Sequence, residues 1–147
     1  MKPLLAEALA RWQTAGVDVS ALHGIDVRVA DLGGRTLGKA ADGVIWLDDN
    51  AAGRGWFVDR TPQSDSEFTR RGNQGELYRM DLLTVLEHEV GHLLGRGHEA
   101  GGLMLEDLTA GTRQTVRRIP AAGGAMPGVD LTDFEWVGGR PSGRGKK

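Results

Sequence analysis

The chain of 147 residues contains no cysteine. Disulfides and cysteine-ligated zinc are therefore excluded, while the redox compartment stays open. No run of 18 apolar residues occurs, so no transmembrane helix is expected. The opening MKPLLAEALARWQ has one lysine, and Glu7 and Arg11 break its apolar run. It lacks the apolar region of a signal peptide, so an export signal, if one is used, is expected outside this chain. The net charge is only −2, which gives no basis for a nucleic-acid surface or a membrane-bound role.

Hydrophobic residues make up 39% and charged residues 26%, the balance of an ordinary soluble domain. The length suits one domain with one core. Residues 1–137 are read as that domain and 138–147 (GGRPSGRGKK from Gly138) as a disordered basic tail with nothing apolar to bury. A monomer is expected. Glycine is abundant, 23 residues, which predicts many turns.

Leu4, Leu5, Ala8, Leu9 and Trp12 recur at helical spacing, predicting a helix over 3–15 with Pro3 in its first turn and Gly16 as its stop. Ile25, Val27 and Val29 alternate with Asp26 and Arg28, a half-buried strand. Thr36–Ala40 and Val44–Leu47 read as two further strands, and Trp56, Phe57 and Val58 return to the core. Residues 61–75 are polar and aperiodic, a surface loop. Asp81 to Leu94 is the strongest helical pattern, with Asp81 as N-cap. Beyond it come apolar anchors separated by turns: Leu103, Met104, Leu108, Val116, Ile119, Leu131, Phe134 and Trp136. The fold class expected is α+β.

Residues 88–98 read HEVGHLLGRGH and hold three of the four histidines. His88 and His92 stand one turn apart on the predicted helix, about 40° from each other around its axis. Leu83, Leu86, Val90 and Leu94 fall on the other side, giving one apolar face and one histidine face. Glu89 lies between them, within reach of a metal-bound water but angled away from coordination. Gly91 keeps the histidine side uncrowded. A third ligand requires the chain to turn back. Gly95 supplies the helix stop, Gly97 a second bend, and His98 the return. Three neutral imidazoles and a water form the open arrangement of catalytic zinc, with Glu89 as general base.

HEVGHLLGRGH resembles the extended zinc motif of the metzincin metallopeptidases. GGLMLED, which follows, resembles that family's methionine turn and places Met104 there. From GVIWLDDNAAGRGWFVD through DLLTVLEHEVGHLLG to LMLEDLTAGTR, the chain is similar to matrixin-like domains of large bacterial secreted or surface proteins. The resemblance implies a zinc endopeptidase at the cell surface or outside the cell, cutting peptide or protein substrates. It implies a small twisted mixed sheet and two helices above the zinc, up to about residue 95. A short irregular subdomain from about 96 to 137 would lie below. It also implies an extended peptide paired to an edge strand, either Thr36–Ala40 or Val44–Leu47. Glu106 stands where some members carry a tyrosine, and the absence of cysteine excludes a thiolate latency switch. The alternative class is a zinc-binding processing or interaction module of a larger surface protein, with little general peptidase activity.

Asp48, Asp49 and Asn50 offer oxygen ligands of the kind calcium takes, and a polar turn explains the same residues. His23 reads as a surface histidine. Trp46, Trp56 and Phe57 read as core, and Arg113, Arg117 and Arg118 as a solvated basic face, with a cleft exit that favours acidic peptide side chains as the alternative.

Overall fold

The computed structural model describes residues 1–68 and 77–118, and the backbone of 134–138. It is α+β, with two helices and a small mixed sheet. Helix α1 spans Lys2–Thr14, with proline in its first turn and Gly16 just past its end at φ +99°. Strands β1 (Asp26–Ala30), β2 (Thr36–Ala41) and β3 (Val44–Asp48) follow, then β4 (Trp56–Phe57) and β5 (Met80–Asp81). Helix α2 covers Leu82–Leu93, and β6 (Asp107–Leu108) and β7 (Phe134–Gly138) complete the order. The helices and first strands match their sequence expectations to within two residues.

The five-stranded sheet runs β1-β3-β2-β7-β6, and β4 pairs with β5 separately. β1 and β3 are parallel, β2 is antiparallel to β3 and to β7, and β6 and β7 are parallel. This arrangement corrects two expectations. Neither β2 nor β3 is an edge strand, because each has a neighbour on both sides. Residues 134–138 form a strand rather than isolated anchors between turns, and the strand takes Gly138 from the expected tail. Ile119, Leu131 and the remaining tail lie outside the described residues, as does the 69–76 part of the expected surface loop.

β1 sits at the sheet edge, which explains a third departure. Val29 is 55% exposed although the alternation placed it inward. Trp46, Trp56 and Phe57 are half-buried. Trp46 lies under the Arg28 guanidinium, 5.2 Å from its ring centre, and the Trp56 indole donates to the Asp48 carbonyl at 2.8 Å.

The core lies between α1, α2 and the sheet, built on Leu4, Ala8, Trp12, Leu37, Ile45, Leu83 and Leu86. Each such large apolar side chain stabilises the fold by about 1.5–3 kcal/mol. Trp12 also donates its indole N–H to the Glu87 carbonyl at 2.7 Å, which pins α1 to α2. Every residue of α2 from Leu82 to His92 is buried. The helix therefore has no solvent face, and the apolar and histidine sides inferred from its periodicity are both interior. Among the described residues, no helix is long and apolar enough to cross a membrane.

Candidate metal centre

α2 begins on its expected cap. Asp81 accepts from the Thr84 amide at 3.2 Å and the Thr84 hydroxyl at 2.6 Å. From there one turn separates His88 from His92, and their ring centres lie 4.5 Å apart. The helix stops as the sequence implied, with Gly95 at φ +86°, a conformation that costs glycine least. Gly97 takes no left-handed conformation, so the return to His98 needs only one such residue. The His98 ring comes to 5.3 Å from that of His88 and 4.9 Å from that of His92. One ligating nitrogen from each of the three lies within 4.8 Å of the others. The three histidines can thus hold a metal ion between them.

Two of the rings are oriented from behind by backbone carbonyls. His88 Nδ1 meets the Leu103 carbonyl and His92 Nδ1 meets the Arg96 carbonyl, each at 2.8 Å. A carbonyl only accepts, so each Nδ1 carries the hydrogen and each Nε2 carries the lone pair. Burial lowers the His88 pKa to about 2 and that of His92 to about 4, against smaller opposing effects of those carbonyls. Both rings are therefore neutral at physiological pH, the form a metal binds. His98 is the most accessible of the three, on the side where the chain leaves the helix.

Glu89 is fully buried, and neither carboxylate oxygen has a hydrogen-bond partner among the described residues. Burial pushes its carboxyl well above the usual range. A buried carboxylate without partners is unstable as an anion, and a cation beside it reverses that shift. The three nitrogen donors and this incomplete carboxylate fit a borderline divalent ion such as zinc.

Met104 lies in a 3-10 turn over Gly102–Met104, with Gly102 at φ +75°. The turn is closed by the Leu105 amide on the Gly102 carbonyl at 3.2 Å and tied back by the Glu99 amide on the Met104 carbonyl at 2.8 Å. The role of Gly91 differs from the one its place in the motif suggested. A β-carbon there would fall 2.6 Å from Met104 Sδ and 2.9 Å from Trp12 Cζ2. Gly91 admits the thioether and the indole against the helix, one residue before His92.

Gly38 on β2 does the same for Glu89: a β-carbon there would lie 2.7 Å from Oε1. Sequence reasoning passed over Gly38, and nothing in its strand pattern marks it. The Leu103 and Arg96 carbonyls have no side-chain signal at all.

Arg113 is no solvated cation. Its side chain is 3% exposed and pairs with Asp59 at 2.9 Å, Asp65 at 3.0 Å and Asp81 at 2.8 Å. Arg117 and Arg118 are exposed, as is His23. Asp48 is buried and accepts from the Leu32, Asn50 and Ala52 amides, while Asn50 accepts from Gly53. Asp31 and Asp49 each bring a carboxylate oxygen within 4.8 Å of that of Asp48, a grouping that could hold a cation, while the amide bonds make Asp48 the organiser of a turn.

No family model, curated protein or solved structure matches this chain.

Proposed function

We propose that this protein is a zinc-dependent endopeptidase of the metzincin type, with His88, His92 and His98 holding the metal and Glu89 as general base. One observation carries the reading. A fully buried carboxylate without hydrogen-bond partners among the described residues follows directly in sequence on the first of three converging imidazoles. A fold has no use for such a group, and hydrolysis does.

Zinc, when bound, supplies Lewis acidity toward water and a peptide carbonyl. Glu89 takes a proton from the attacking water as its oxygen bonds to the carbonyl carbon. The same carboxyl then gives that proton to the amine nitrogen as the C–N bond breaks. The products are a carboxylate and an amine. The Leu103 and Arg96 carbonyls hold two imidazoles in the ligating tautomer, and β2 covers Glu89 from above through Gly38. Met104 packs beneath as a support and does not ligate.

The test is a broad peptide library offered to the full chain before and after metal removal. The reading expects one zinc per chain, internal cleavage of unstructured peptides, loss with a chelator and recovery on adding zinc. Zinc bound at that stoichiometry with no peptide cut would favour the non-hydrolytic module instead.

A further inference from the structure

β2 is the strand nearest the catalytic carboxylate, since Gly38 meets Glu89. Its one edge is taken by β3 and its other by β7, from the far end of the chain. On its opposite side β7 pairs with β6. β6 starts three residues past Met104, in the segment whose Leu103 carbonyl orients His88. Both neighbours of β7 are thus attached to the metal centre, one through Glu89 and one through His88. Strands flanking a single strand stand about 9–10 Å apart, room for one extended backbone.

The register places β7 across the site. Phe134, Glu135 and Trp136 pair with Ala40, Lys39 and Gly38 of β2. Val137 and Gly138 pair with Asp107 and Leu108 of β6. Val137 pairs with both walls, with Thr36 of β2 and Asp107 of β6, and its neighbour Trp136 stands opposite Gly38, the residue that meets Glu89. The β2 ladder is irregular between Thr36 and Gly38, at this same place. Recognition through main-chain pairing on both sides is how a protein takes an extended peptide with little regard to its sequence.

We propose that residues 134–138 are an intramolecular pseudosubstrate, seated in the slot between β2 and β6 where an extended peptide pairs before cleavage. The proposal rests on the endopeptidase reading for its consequence and on strand topology for its placement. Without β7, β2 would have a free edge, and it is one of the two strands that the resemblance offered as the substrate-pairing edge. A tethered strand competes at an effective concentration on the order of millimolar. It therefore raises the apparent KM for external peptides and leaves kcat unchanged.

The experiment measures binding separately from hydrolysis. A fluorescent peptide spanning residues 131–140 is titrated by anisotropy onto two zinc-loaded proteins, both carrying Glu89→Gln to prevent turnover. One is the full chain and the other ends at Asp133. The proposal expects the shortened chain to bind the peptide roughly tenfold more tightly or better. Equal affinity, or no binding by a folded shortened chain, overturns it. Should the shortened chain not fold, Glu135→Pro in the full chain decides, because proline disrupts pairing of β7 alone. A folded Glu135→Pro protein that gains peptide binding supports the proposal. One that stays closed to the peptide, or that also unfolds, makes β7 an integral strand and overturns it. A failed endopeptidase reading would show separately, as absence of hydrolysis by the wild-type chain whatever the anisotropy reads.

Discussion

Glu87 and Glu89 lie two residues apart on α2, and each is 0% exposed. Glu87 faces α1 and the segment before Arg117. Its Oε2 accepts from the Val116 amide and the Thr115 hydroxyl, both at 3.1 Å, and Oε1 lies 3.5 Å from Arg11 Nε. Glu89 meets Gly38 of β2 and accepts from none of the described residues. Burial raises both carboxyls, that of Glu87 to about 8, because its hydrogen bonds and Arg11 offset the loss of water only in part. Arg11 Nε is closer to Glu7, at 2.9 Å, which limits what it gives Glu87. The same residue type at the same depth thus does two jobs. Glu87 joins elements through Oε2, with Oε1 left without a hydrogen bond among the described residues, whereas neither oxygen of Glu89 has one.

The comparison extends to charge. Arg113 with the buried Asp59 and Asp81 and the exposed Asp65 is a cluster completed by opposite charges. The histidine cluster could hold a metal ion, which the proposed function requires. Changes on the two sides should therefore fail differently. The largest effect is expected from His92→Ala. It removes a ligand, so zinc content and peptide hydrolysis should both fall to background by elemental analysis and peptidase assay. Retention of a full zinc complement would contradict the ligand set.

Arg113→Met comes next and acts on the other side. It strands buried carboxylates, so denaturant unfolding should show a loss of about 3–5 kcal/mol, with zinc still bound by the folded fraction. An unchanged unfolding midpoint would mean that the cluster does not hold this region together. Smaller still is Met104→Leu. It conserves volume against Gly91 and Trp12, and should cost under about 1.5 kcal/mol with zinc retained. If it strips zinc as fully as His98→Ala, Met104 is more than a support.

The sequence made α2 and its three histidines legible because ligand spacing, cap and helix stop are all local. His88, His92, Asp81 and Gly95 act within a few residues of themselves. Legibility ended where partners come from afar. Arg113 looked solvated because nothing near it in sequence shows that Asp59 and Asp81 surround it. Glu87 drew no notice, since its partners Arg11 and Val116 come from other segments. β7 was read as loose anchors because a five-residue strand with a glycine end carries little periodicity, and its pairing with β2 and β6 is non-local. That pairing also leaves β2, one of the two candidates for the edge, without a free side.

The central claim is that Glu89, and not its buried neighbour, does the proton transfer. Glu89→Gln and Glu87→Gln are the matched pair, compared with wild type for zinc content and peptidase rate in one assay. Each swap keeps side-chain size, leaves one acceptor oxygen, and removes the charge and the ability to take a proton. The account predicts about one zinc per chain in all three proteins. It predicts a rate lower by roughly 10² to 10⁴ for Glu89→Gln, and a wild-type rate per folded molecule for Glu87→Gln. A Glu89→Gln protein that keeps its zinc and cuts peptides at the wild-type rate would contradict it.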